Sequence, residues 1–245
     1  MRKLLNYQLS TFWPPCLVII ACYIVFAALN NCILIISNGS SETQVSGIDT
    51  TSAIVCFVFF VVTYGENLRF AIQNGCTRTK IFQISLLNLV ICSACLSVIG
   101  QISILINGAI SGQEGINFRS LTSILYQTNH KLPAAIGEEF FFSFAVLLLA
   151  GMAGILLAAA FAGLGKYGRV LLAAGVPIFC FVLFPVIIVV LSVNAPVFMQ
   201  KVFELLSKIM GFESGNPYIG SLAVMIVAAV FGILAYLINR KMEIK

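Results

Sequence analysis

Residues 140–165 carry no charged side chain, and comparably uncharged stretches occupy residues 50–65, 81–113, 170–200 and 214–239. A helix needs about 20 apolar residues to cross roughly 30 Å of hydrocarbon, so a chain divided in this way is expected to pass through a bilayer repeatedly. Its composition excludes the alternative of a soluble globule. Only 9% of the residues are charged and 60% are hydrophobic, whereas a soluble domain carries roughly 25% Asp, Glu, Lys and Arg. The expected fold is all-α: a polytopic bundle of six transmembrane helices forming a single domain over residues 1–245.

The spans are expected at residues 15–37, 51–64, 81–106, 139–163, 169–193 and 217–238. The second has a short uncharged core, so it must borrow residues from Ser46 onward or run on past Gly65. Before the first span, Leu5, Leu9 and Phe12 share one helical face, which predicts an interfacial helix at the N-terminus. Between spans five and six, Phe198, Val202, Leu205, Leu206 and Ile209 form a face distinct from that of Lys201, Glu204 and Lys208, which predicts an amphipathic helix on the outer side.

Orientation follows from the basic residues. With six spans, Arg2, Lys3, Arg69, Arg78, Lys80, Lys166, Arg169, Arg240, Lys241 and Lys245 fall on one side. Only Arg119, Lys131, Lys201 and Lys208 fall on the other. The positive-inside rule then places both termini in the cytoplasm. The net charge of +5 is thus explained by topology. The basic residues are scattered at the ends of apolar runs and do not form the patch that a nucleic-acid partner requires.

The small and polar residues inside the spans point to helix packing or, alternatively, to the lining of a path. In the third span Ser93, Ser97 and Gln101 lie close to one face. In the fourth, Ala150, Gly154, Ala158 and Ala162 recur every four residues, a ridge that admits a neighbouring helix closely. Pro177 and Pro185 should bend the fifth span. Cys92 and Cys95 have C-x-x-C spacing without a second pair or a nearby histidine, so they read as packing residues and no metal site is expected. Glu138 and Glu139 open a helix, but the histidine motifs of a membrane-embedded protease are missing. No catalytic residue is assigned, and no phosphate-binding loop is present.

The stretch from Glu66 to Phe82 is the most specific. A short helix over Glu66, Asn67, Arg69, Phe70 and Gln73 is expected to end after Asn74 at Gly75, whose missing side chain suits a left-handed cap. Thr77 can then cap the third span, with Arg78 and Lys80 at the membrane surface. This arrangement resembles the permease subunits of type-2 ABC exporters, in which a cytoplasmic coupling helix and a Gly-x-[Ser/Thr]-Arg turn lead into the third span. The matching residues are Asn74, Gly75, Thr77, Arg78 and Lys80, followed by Phe82.

The resemblance implies a subunit in the bacterial plasma membrane that pairs with a second permease, as a homodimer or a related heterodimer. It also implies two ABC ATPase subunits bound through the coupling helices, with ATP and Mg held by those partners and not by this chain. Amphiphilic cargo (a peptide, antibiotic or lipid) is favoured over sugars or metal ions, since no aromatic-polar sugar platform or metal-ligand cluster appears in the sequence. An ion-coupled secondary transporter or channel, and an accessory membrane protein without transport activity, are the alternatives that the bundle alone leaves open.

Overall fold

The computed structural model describes residues 47–73, 75, 77–110, 121–126 and 134–241, together with Ala21. The expected N-terminal interfacial helix and the first span lie outside these residues. Everything described is helix or the turns between helices, and no strand occurs among the described residues.

The helices are α1 (Gly47–Gln73), α2 (Arg78–Ile110), α3 (Leu121–Tyr126), α4 (Ala134–Gly163), α5 (Lys166–Ile178), α6 (Phe184–Asn194), α7 (Pro196–Met210) and α8 (Pro217–Lys241), with a π-helical turn, Phe179–Leu183, joining α5 to α6. Four stretches are long and apolar enough to cross a membrane: Thr50–Leu68, Arg78–Ile102, Ile136–Gly163 and Pro217–Arg240. They coincide with the expected second, third, fourth and sixth spans.

α4 is the centre of the bundle, packed against α8, α1 and α2. Its small residues explain why. A Cβ on Gly154 would stand 2.6 Å from the carbonyl oxygen of Phe57 in α1, so the two backbones touch where the ridge passes. Ala145, Ala158 and Ala159 are buried along the same helix. Around them Phe60, Tyr64, Leu89, Leu96, Leu147 and Ile155 close the core.

Contacts between helix ends define two faces of the bundle. On one, Asn239 of α8 donates from Nδ2 to the carbonyl of Arg78 at 3.3 Å, and the Phe82 ring lies 5.6 Å from that of Tyr236. The ends of α1 and α4 reach this basic face as well, sharing a cleft with Arg169. On the opposite face, the Tyr126 hydroxyl donates to the carbonyl of Met210 at 2.7 Å. Its ring lies 5.5 Å from Phe142 and 5.1 Å from Phe212. Burial raises the Tyr126 phenol above its ordinary range.

α1, α4 and α8 therefore run in the same direction, and α2 runs against them. Since α4 ends at the basic face and α8 starts at the opposite one, the chain must traverse the bundle between Gly163 and Pro217. The helix running through α5, the π turn and α6 is the segment available for this.

One expectation is modified here, and the irregularity expected at the prolines of the fifth span takes a specific form. The second span and the short helix after it are one element, because α1 continues through Gly65 without interruption as far as Gln73. Charge ends the apolar run at Glu66, but glutamate is a good helix former, so the helix outlasts the hydrophobic stretch. The expected fifth span is not one regular α-helix. Pro185 lacks the N–H that would complete an α-turn, and the chain answers by widening, with the Phe184 N–H bonded back to the Phe179 carbonyl. Backbone angles on either side stay helical, φ −61° and ψ −44° at Ile178 and φ −63° and ψ −47° at Phe184. A π turn of this kind absorbs a lost donor without ending the helix.

Beyond α6 the chain turns sharply at Ala195, so that α7 departs at 120°. Pro196 opens α7, where a missing N–H costs nothing, and Gly211 at φ 72° closes it. The Lys208 ammonium pairs with Glu204 at 2.8 Å on the polar face. Phe198, Leu205, Leu206 and Ile209 remain exposed on the apolar face, as a helix lying in a membrane interface requires.

Candidate functional site

The turn between α1 and α2 brings together most of the residues singled out after the second span. Glu66, Phe70 and Gln73 are spaced i, i+4, i+7 and are all exposed, so they form one outward face over the last turns of α1. Phe70 is the apolar member, 47% exposed. Gly75 follows with φ +72°, a left-handed conformation that strains any residue bearing a Cβ. Thr77 precedes α2, its carbonyl accepting the Ile81 N–H at 3.1 Å. Lys80 is exposed and Arg78 half-buried on the first turn of α2.

One expected member is turned away from this face. Asn67 is 8% exposed and turned inward beside the buried Leu68, because helical geometry rotates it away from its neighbours Glu66 and Phe70. Arg69 lies within α1, and Asn74 lies outside the described residues. The face is supported from below, since Ile81 and Phe82 are buried and Asn239 ties the start of α2 to α8. Asn239 and Tyr236 had no signal in the sequence, where they are two ordinary residues near the end of an apolar run.

The polar residues of the third span are packed among helices. Ser93 and Ser97 are fully buried and Gln101 nearly so, as are Asn88 and Ser85, about one and two turns before Ser93. The Ser97 hydroxyl donates to the Phe140 carbonyl of α4 at 3.0 Å, and the Cys92 thiol lies 3.4 Å from Asn88 Oδ1. Gly154 and Ala158 face α1 within the same chain. Among the described residues no group of three His, Cys, Asp or Glu side chains is placed to hold a metal ion.

The fold and the site define an all-helical, membrane-embedded bundle with a structured turn at its basic face. No family model matches the chain, nor does any curated protein or solved structure.

Proposed function

We propose that this chain is the membrane-spanning subunit of an ATP-driven ABC exporter in the bacterial plasma membrane, with both termini cytoplasmic. In this reading it forms the translocation path with a second permease, identical or related, and takes its motion from separate ATPase subunits. Those partners hold ATP and Mg, and no residue of this chain performs chemistry.

The observation that carries the reading is the exposed face of Glu66, Phe70 and Gln73 followed by the left-handed Gly75. An apolar knob with polar neighbours is what a helix end needs to seat in a cleft of a partner and keep its register. The continuity of α1 supports the mechanism. A push at Phe70 travels along one uninterrupted helix to Tyr64, Phe60 and Cys56, which belong to the core around α4. Through the Asn239 bond to Arg78 the same turn is connected to α8. Closure of the ATPase pair would then tilt α1, α2 and α8 together and switch the path between inward and outward states.

The exposed apolar residues of α5 and α6, among them Val170, Leu171, Val182 and Val189, leave a surface that lipid or a second permease would cover. The cargo class that goes with this reading is an amphiphile, whether a peptide, an antibiotic or a lipid.

The test is biochemical. Purified alone, the chain is expected to hydrolyse no ATP, and co-expressed with its cognate ATPase it is expected to be recovered as a stable complex whose transport requires ATP. Hydrolysis by the isolated chain, or transport that follows an ion gradient without ATP, would overturn the reading.

A further inference from the structure

At the basic face an open cleft of about 390 Å³ lies between α1 and α4. Val61 and Val62 form one wall, Phe161 and Ala162 the other, and Glu66 and Arg169 complete the lining. Nothing approaches within 4 Å of the position where a Cβ on Gly65 would stand, so the cleft is unobstructed there.

Arg169 is held in place. Its Nε donates to the carbonyls of Phe161 and Leu164, each at 3.0 Å, and so satisfies acceptors that the end of α4 leaves open. A guanidinium has five N–H donors, and those on the terminal nitrogens remain for an anion. Glu66 brings the opposite charge to the same cleft from α1.

Depth is set by the helices. Arg169 follows the apolar stretch that ends at Gly163, and Glu66 is near the end of the one that finishes at Leu68. Both charges thus lie where apolar helix gives way to polar headgroups, with apolar walls extending toward the hydrocarbon.

We propose that this cleft binds a phospholipid whose headgroup carries both a phosphate and a primary ammonium group. The phosphate meets Arg169, the ammonium meets Glu66, and an acyl chain lies along Val61, Val62 and Phe161. Charge complementarity selects this occupant. A lipid with phosphate but no ammonium leaves Glu66 unmatched beside a second negative charge, and free phosphate has no use for the apolar walls. The inference stands on the cleft and the membrane depth alone, apart from the exporter reading.

Native mass spectrometry of the full chain in detergent, titrated with dioleoylphosphatidylethanolamine, tests it, with dioleoylphosphatidylglycerol and inorganic phosphate as the comparison probes. The ethanolamine lipid is expected to be retained over the glycerol lipid. Glu66→Gln should weaken ethanolamine-lipid binding about threefold, the scale of one exposed ion pair, without weakening that of the glycerol lipid. Arg169→Gln should weaken both. Because that change also uncovers the end of α4, Val62→Trp provides a second arm: Val62 is 54% exposed, and an indole there fills the cleft from its rim and should reduce binding of both lipids. Equal binding of the two lipids, undiminished binding in Glu66→Gln or Val62→Trp, or displacement of bound lipid by inorganic phosphate would each overturn the proposal. Since no ATPase is present in the experiment, neither result depends on the exporter assignment.

Discussion

Phe70 and Gly75 test different properties of the same turn. An aromatic side chain at the centre of an interface can carry at least about 2 kcal/mol of binding, so on the exporter reading Phe70→Ala should weaken association with an ATPase subunit roughly thirtyfold. The bundle should still insert, because Phe70 is half exposed. Gly75→Val forces a β-branched residue to φ +72°, at a cost on the order of 1–3 kcal/mol, and should move the start of α2 relative to the end of α1. Pull-down of the ATPase at matched membrane expression reads both, and wild-type binding in both variants would reduce this turn to a linker. Asn239→Ala acts from a distance. It removes the donor to Arg78, worth about 1 kcal/mol, and should lower coupling while Phe70 and its surroundings are intact. The contrast also shows what a sequence can convey. Gly75 was legible because a helix that stops at a glycine has a local backbone reason to do so. Asn239 was not, because its partner is 161 residues away in sequence and nothing local marks an asparagine for that contact.

Among the helices, the ridge on α4 was readable from its four-residue period, and the structure gives the reason for the period in the close passage of α1. Gly154→Ala and Gly65→Ala separate packing from propensity. A methyl group on Gly154 meets the Phe57 carbonyl, whereas one on Gly65 meets open space. The first should therefore cost about 1–3 kcal/mol as overpacking, and the second should be neutral or stabilise α1 by up to about 1 kcal/mol. Thermal unfolding in detergent would show a lowered midpoint for Gly154→Ala alone, and equal midpoints would mean that the ridge does not set the spacing of α1 and α4. The amphipathic α7 was equally legible, since its two faces differ in every turn. The length of α1 was less so: hydropathy ends at Glu66, whereas helix propensity carries the chain on to Gln73. Pro185 marked an irregularity in the fifth span, but the form it takes, a π turn over Phe179–Leu183, depends on backbone geometry that hydropathy does not encode.

For the whole molecule the decisive quantity is orientation, since a turn that meets a cytoplasmic ATPase must face the cytoplasm. The sequence assigns ten basic residues to one side and four to the other. The structure independently brings Arg78, Arg169 and the end of α8 near Arg240 to a single face, through the Asn239 bond and the cleft between α1 and α4. These charges are thus collected by the fold and not only by counting loops, and the positive-inside rule acts on that face as a unit. Two single cysteines, placed in a variant lacking the eight native ones, can read it. Gly165 has an extended backbone, φ −69° and ψ 174°, with open space around it, so Gly165→Cys should be accommodated. Glu213 is exposed on the loop after α7, so Glu213→Cys should be accommodated as well. In intact cells expressing the variant a membrane-impermeant maleimide is expected to label Glu213→Cys at once and Gly165→Cys only after permeabilisation. The reverse pattern would place Phe70 and Gly75 outside the cell, where no ATPase could reach them, and the exporter reading would fall with the orientation even though the bundle itself stayed the same.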